Sequence, residues 1–345
     1  MEQGQAETEG KGNDRTLGWG VLGAGNIANR FCNALAHEPR ARLVAISGRD
    51  EAHVSEFAKA HHPDKVYLDH QALIDDPDVD AIYLALPHGL HAQWAMRALG
   101  AGKAVLCEKP ACLSADELAD VLDCAHRHGS LFMEAMKTRF VPAYGRMTDL
   151  LRGGSLGAIT SVRASICHRF PDDIGGYFVD PAQGGCLYDT GVYGVSWLDA
   201  LTHGRPVLVK ASADRRGAVD WYDDAFLLMG DVPCELECAS DRAMGVTLSV
   251  HCERGSVEIP QFHRPTELIV RTLDGSGETF TSHHIRAPYV VDDFFGEISH
   301  FDDCLTQGLM ESPVMPHAAS LRCAEVIDLI RTATSTGKAT DPRRS

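Results

Sequence analysis

At 345 residues, 44% of them hydrophobic, the chain exceeds the ~250–300 residues at which a single core usually divides, so two cores are expected. Aspartate and glutamate (48) outnumber lysine and arginine (32), and the net charge of −16 argues against nucleic acid or an anionic membrane as partner, because both would repel it. No apolar run reaches the ~18–20 residues of a membrane helix, and what remains is a partner small enough to be held by a few local groups.

Residues 1–15, rich in Gly, Glu and Gln with no apolar pattern, read as a disordered tail. From 16 to 136, short apolar strands (18–23, 42–47, 66–68, 81–86, 104–108, 131–133) alternate with helical stretches (29–36, 51–61, 88–101, 115–128). That alternation predicts a doubly wound parallel sheet, with ligand at the carboxyl ends of its strands.

The first strand runs into Gly23-Ala24-Gly25-Asn26-Ile27-Ala28, a G-x-G-x-x-A loop opening a helix. Alone the motif is weak, but between a strand and a helix it is specific for a dinucleotide. Gly23 permits the tight turn, Gly25 lets backbone approach a pyrophosphate, and Ala28 lets helix and strand pack closely. The N–H groups around Asn26 and Ile27, at the positive end of the helix dipole, then face the phosphates.

An acidic residue ~20 positions after such a loop usually holds the ribose 2′-OH. Here the second strand ends in Ser47-Gly48-Arg49, where a hydroxyl, a small residue and a guanidinium suit a 2′-phosphate. NADP(H) is therefore expected over NAD(H), with Asp50 as the contrary sign. The fifth strand ends in Glu108-Lys109-Pro110. Pro110 holds Lys109 extended, and an ammonium there can bind a substrate or ribose oxygen and lower a neighbour's pKa. A surface lysine before a proline-bounded loop is the plain alternative.

Beyond residue 139 the text changes. Stretches 158–170, 205–217, 224–230, 233–241, 244–252, 255–259 and 266–272 read as strands without intervening helices, so residues 137–345 are expected to form an α/β domain on an open, mostly antiparallel sheet. Its open face suits pairing with a second copy, and a homodimer or higher homo-oligomer is expected. Segments 294–307 and 317–333 return to helix, with apolar residues at i, i+3, i+4 spacing.

Within this half Asp189 and Tyr193, four apart after Gly184-Gly185, share a face if helical. A tyrosine can exchange a proton with a hydroxyl, but its ordinary pKa of ~10 is high for work near neutrality. Lys109 is the cation expected to lower it, and Asp189 to orient substrate or lysine. The plainer reading makes Asp189 a helix cap and Tyr193 a half-buried core residue. His88 and His91 open the fourth helical stretch without a carboxylate or cysteine to complete a metal set. The eleven cysteines form no C-x-x-C pair. No metal is expected, and reduced thiols point to the cytoplasm.

Four segments occur in order: the 23–28 loop, the 91–110 stretch ending Gly-Lys-Ala-Val-Leu-Cys-Glu-Lys-Pro, Gly-Gly-Cys-Leu-Tyr-Asp-Thr-Gly-Val-Tyr at 184–193, and Glu-Ile-Ser-His-Phe at 297–301 followed by Glu-Ser-Pro-Val-Met-Pro at 311–316. Together they resemble the Gfo/Idh/MocA oxidoreductase family, particularly the branch of dimeric dihydrodiol dehydrogenases and NADP-linked aldose dehydrogenases. The resemblance spans about residues 17–333. It implies a Rossmann domain and hydride transfer between a nicotinamide and the CH–OH or C=O of a sugar or cyclic polyol, of aldose or trans-dihydrodiol type. By the same resemblance Lys109, Tyr193 and Asp189 are catalytic, Leu86, His88, His91 and Glu108 lie beside the cofactor, and Arg139, Phe170, Tyr177 and Asp189 surround the substrate. Lys137 stands where the branch often has an aromatic, and Tyr177 near a position often cationic. A catalytically silent dinucleotide sensor, and a reductase of C=N or C=C bonds, are the alternatives. Retention of Lys109, Asp189 and Tyr193 weighs against the first, and the intact Glu108-Lys109-Pro110 against the second.

Overall fold

The computed structural model describes residues 16–171, 173–273 and 280–335; the expected tail at 1–15 lies outside them. Strands β1 (Leu17–Leu22), β2 (Ala41–Ser47), β3 (Lys65–Tyr67), β4 (Ala81–Leu84), β5 (Ala104–Glu108) and β6 (Phe132–Ala135) form a parallel sheet in the order β3-β2-β1-β4-β5-β6. β4, β5 and β6 are buried along their whole length, which explains their unbroken apolar text: helices cover both faces of a parallel sheet. Those helices are α1 (Asn26–Leu35), α2 (Glu51–His61), α3 (His70–Ile74), α4 (His91–Gly100) and α5 (Ala115–His128). Strand order reverses between β1 and β4, the crevice where a ligand is expected.

After α6 (Pro142–Arg152) comes a second, eight-stranded sheet. Its strands are β7 (Ile159–Arg169), β8 (Pro206–Arg216), β9 (Val219–Met229), β10 (Val232–Ala239), β11 (Asp241–Cys252), β12 (Gly255–Pro260), β13 (Glu267–Leu273) and β14 (Phe280–Arg286), in the order β14-β13-β12-β11-β7-β10-β9-β8. Every pairing is antiparallel except β7 with β10. β14 had no sequence signal because it is a polar edge strand, with His283 and His284 exposed. α6 was also missed; it opens with Pro142 in its first turn, a position where the lost N–H costs nothing.

Helices α7 (Val192–Thr202), α8 (Phe295–Thr306) and α9 (His317–Ser335) complete the chain. α7 lies on the second sheet, where Trp197 Nε1 donates to the Phe262 carbonyl at 3.1 Å. α8 and α9, grouped by sequence with the second half, also pack against the first. Trp19 of β1 donates to Asp302 Oδ1 at 3.1 Å, and the Ala115 N–H donates to Asp328 Oδ2 at 2.8 Å.

Burial pushes the Asp302 carboxyl up to about 7. Its unfolded value is ~3.9, so the folded chain holds a proton that the unfolded chain releases, and stability falls as pH rises through that interval. Asp302→Asn keeps an acceptor for Trp19 and has nothing to titrate. It is expected to gain stability relative to wild type between about pH 5 and about pH 8, measured by urea unfolding at both; a constant difference would contradict this.

Candidate active site

A cleft of about 800 Å³ opens where the carboxyl ends of β1, β4 and β5 meet the second sheet. Gly25, Asn26 and Ile27 form one wall, Leu86, His88, Glu108 and Lys109 the floor, and Phe170, Tyr177, Asp189 and Tyr193 the wall from the second half.

The glycine loop is shaped as a phosphate cradle. Gly23 has φ +102°, and a Cβ there would meet the Ala85 carbonyl oxygen at 2.4 Å, so both conformation and space demand glycine. Nothing lies within 4 Å of where a Gly25 Cβ would stand, and no side chain caps the first turn of α1, leaving N–H groups for an anion. His53 Nε2, 2.8 Å from the Ala24 carbonyl, braces the loop. These features fit a dinucleotide pyrophosphate. Ser47 and Arg49 lie outside the cleft lining, at the end of β2. Ser47 is buried with Oγ 2.7 Å from His70 Nδ1, and Arg49 is exposed. Asp50, the contrary sign, is engaged as the N-cap of α2, accepting from the His53 N–H at 3.0 Å.

Lys109 and Tyr193 come together. Lys109 Nζ lies 5.0 Å from the centroid of the Tyr193 ring, donates to the Asp189 carbonyl oxygen at 2.6 Å and stands 3.8 Å from Asp189 Oδ1. The Lys109–Pro110 bond is cis. Asp189 sits in a π-turn, Leu187–Gly191, that runs directly into α7 and so into Tyr193; such wide turns recur at functional sites. Gly191 is required there, since a Cβ would stand 2.8 Å from Cys238 Sγ. The Tyr177 hydroxyl donates to Asp189 Oδ1 at 3.0 Å.

The expected downward shift of Tyr193 is not what this environment produces. Burial, with Glu108, Asp189, Glu297 and Asp293 nearby, drives its pKa well above the ordinary phenol value, so the hydroxyl is protonated at neutral pH. Glu108, in contact with the Tyr83 hydroxyl, is itself raised by burial against the pull of Lys109. His88 is held neutral by burial and by Lys109.

Besides Ser47 and Arg49, two further expected site residues stand outside the cleft lining. Arg139 does not line the cleft: its Nε donates to Ser196 Oγ at 2.9 Å, and its Nη2 to the Ser196 carbonyl and to Asp199 Oδ2, both at 2.8 Å. It is a core ion pair, not a substrate ligand. His91 is fully buried behind the floor, with Nδ1 2.9 Å from the Pro110 carbonyl and Nε2 2.8 Å from that of Leu86. Burial lowers its pKa, and a neutral ring donates to only one of the two. His91 thus ties the β4 loop to the Lys109–Pro110 turn.

The cleft is also lined by Lys137, at the position where the branch often has an aromatic, by His168, and by Arg30, Arg264, Phe294 and His263, which no motif singles out. The two histidine rings lie 5.2 Å apart, and burial with neighbouring positive charge lowers His263 to about 3. Glu297 is fully buried, with neither carboxyl oxygen hydrogen-bonded among the described residues. Burial and Glu108 raise its pKa well above the carboxylate range. Its motif was visible in the sequence, but its burial was not. Among the described residues Cys186, Asp223 and Cys238 also cluster, with one ligand atom from each within 4.8 Å of the others, in the core and not along the cleft.

Comparison with known proteins agrees with the two-sheet fold and with a nicotinamide cofactor. Residues 17–136 match the model of the oxidoreductase family with an NAD-binding Rossmann fold, and residues 144–258 the Gfo/Idh/MocA C-terminal domain. The trans-1,2-dihydrobenzene-1,2-diol dehydrogenase of Bos taurus is 32% identical over 336 residues, covering 92% of this chain and 96% of the relative; that of Homo sapiens is 31% identical over 327 residues, with the same coverage. A 3-ketoreductase, KijD10 of Actinomadura kijaniata, solved with NADP and TDP-benzene, is 27% identical with a TM-score of 0.83 over 93% of this chain and 98% of that one. Levoglucosan dehydrogenase, solved with NADH, shares the fold at 18% identity, with a TM-score of 0.84 over 93% and 97% of the two chains. Motifs, fold and relatives converge: the chain is a member of the Gfo/Idh/MocA oxidoreductase family, a nicotinamide-dependent oxidoreductase.

Proposed function

We propose that the protein moves a hydride between NADP(H) and a CH–OH or C=O group of a sugar or cyclic polyol, aldose or trans-dihydrodiol. The observation that carries this reading is the stacking of Lys109 on Tyr193 beside an open phosphate cradle. The names of the bovine and human relatives support the substrate class. A bound nicotinamide supplies or accepts the hydride.

The chain's own groups handle the proton. Protonated Tyr193 donates to the carbonyl oxygen in reduction; in oxidation its phenolate takes the hydroxyl proton, so that direction speeds up with rising pH. Lys109, anchored on the Asp189 carbonyl, keeps further N–H donors for the substrate oxygen. Asp189, fixed by Tyr177, sets the position of that ammonium. A panel of aldoses, polyols and aromatic dihydrodiols offered with NADP⁺ and NAD⁺ tests the reading by absorbance of the reduced nicotinamide. Turnover of at least one class is expected; tight cofactor binding with no turnover would favour a silent sensor.

The preference for NADP rests on the exposed Arg49 and the engaged Asp50; the Ser47 hydroxyl is buried against His70 and does not contribute. Arg49→Ala is expected to lower the NADP⁺/NAD⁺ ratio of kcat/KM by ~10-fold, one charged hydrogen bond to a phosphate. An unchanged ratio would contradict it. Eleven buried free thiols suit a reducing cytoplasm. Exposed Val207 and Val209 on β8 support pairing of two copies through the second sheet, and a monomer in sedimentation at micromolar concentration would refute that.

A further inference from the structure

Beside Lys109 and Tyr193 the cleft carries more positive charge than hydride transfer uses. Lys137, in the turn after β6, is almost fully buried, and its Nζ lies 5.6 Å from the Tyr193 ring centroid and 5.2 Å from that of Phe294. It is hydrogen-bonded to Asp293 Oδ2. The same carboxylate takes Arg30 on Oδ1 and stands 3.5 Å from Arg264 Nε. Lys137, Arg30 and Arg264 all line the cleft.

Three cations therefore share one carboxylate. The other acids nearby balance them poorly: Lys109 is answered by Asp189, Asp292 caps the start of α8 through the Phe294 and Phe295 N–H groups, and burial pushes Glu297 and Glu108 towards the neutral form, Glu108 against the pull of Lys109 and Lys137. Lys137 is desolvated on Asp293, whereas the Arg30 and Arg264 side chains stay 29% and 53% exposed, so the two guanidiniums keep open donors for a ligand anion. The adjoining His263 Nδ1 is buried with no partner among the described residues, a polar atom set to meet a ligand hydroxyl.

We infer that the substrate is a sugar or polyol bearing a carboxylate, held by Lys137 with Arg264 and Arg30 while its reacting CH–OH sits at Tyr193. This rests on the oxidoreductase reading above and narrows its substrate class. Lys137 packs on the Tyr193 ring, so the carboxylate lies about one sugar ring from the reacting carbon. A neutral aldose or dihydrodiol leaves the cluster unanswered. The competing source of an oxyanion is the cofactor's phosphates, because Arg30 lies on α1.

The test compares matched pairs, glucose with glucuronate and galactose with galacturonate, using the full chain and NADP⁺. The acid of each pair is expected to have the higher kcat/KM. Lys137→Met is expected to lower the acid-to-neutral ratio ~10–100-fold, the worth of one charge-assisted hydrogen bond, with a smaller fall for Arg264→Met. The NADP⁺ dissociation constant, read by fluorescence quenching, should move much less. A wild-type preference for the neutral sugars that Lys137→Met leaves unaltered would overturn the inference. So would a loss that appears in NADP⁺ affinity instead, which would assign the cluster to the cofactor. Calorimetric binding of glucuronate to the NADP⁺-loaded protein reads the anion site without turnover. Binding lost in Lys137→Met with no oxidation of any sugar would sink the reaction but keep the site; no binding of either acid would sink the site.

Discussion

Tyr193→Phe is expected to lower kcat by ~10²–10⁴-fold, the range for a positioned acid/base, with cofactor affinity retained. Phenylalanine keeps the ring against which Lys109 and Lys137 pack and removes only the hydroxyl. Lys109→Met is expected to do comparable damage, with a further signature in the pH profile. Oxidation requires the phenolate, and burial with four acidic neighbours already holds the Tyr193 pKa high. Removing the cation 5.0 Å from the ring raises it further, so the alkaline limb of oxidation moves upward. Reduction uses the protonated form and stays flat near neutral pH. A Tyr193→Phe enzyme with near-full turnover would move the proton to another group, such as His168 on the cleft wall or a water chain.

The second large effect is on stability. Asp199 is fully buried and is held by Arg139 at 2.8 Å and Arg322 at 2.6 Å. Arg139→Met leaves that carboxylate short of a partner in the core, and the expected loss is about 3 kcal/mol, the lower end for breaking a buried ion pair. Urea unfolding measures it. Arg139 does not line the cleft, so the folded fraction should turn over with little change in KM. A large rise in KM with normal stability would restore Arg139 to the substrate site.

Residues that act through their place on a periodic element were legible in the sequence. The period-switching text before residue 136 is dictated by a sheet covered on both faces, so strands, crossover helices and the glycine loop all followed. Lys109 and Tyr193 were each placed by the element before them, β5 and the turn into α7. What failed was direction. Arg139 and Lys137 are two residues apart in one short turn, and no spacing rule says which side chain enters the cleft. The resemblance placed both beside the substrate, but the buried Asp199 on α7 holds Arg139 in the core and Lys137 alone lines the cleft. Asp293, His263 and Arg264 reach the site from distant loops, so only the tertiary fold brings them in. The rise in the Tyr193 pKa is not legible in the sequence, because burial and the acids Glu108, Asp189, Glu297 and Asp293, gathered only by the fold, outweigh the cation beside the ring.

The central claim is that Lys109 and Tyr193 serve one proton transfer as a unit. The direct measurement is kcat/KM for the double variant Lys109→Met/Tyr193→Phe beside the two single variants, on any substrate the panel yields. Once the hydroxyl is gone, the ammonium has no phenolate to stabilise, so the double variant is expected to be no slower than the worse single variant, within a few-fold. A double variant slower by the product of the two separate losses would show two independent groups, and the account of a single Lys109–Tyr193 unit would be wrong.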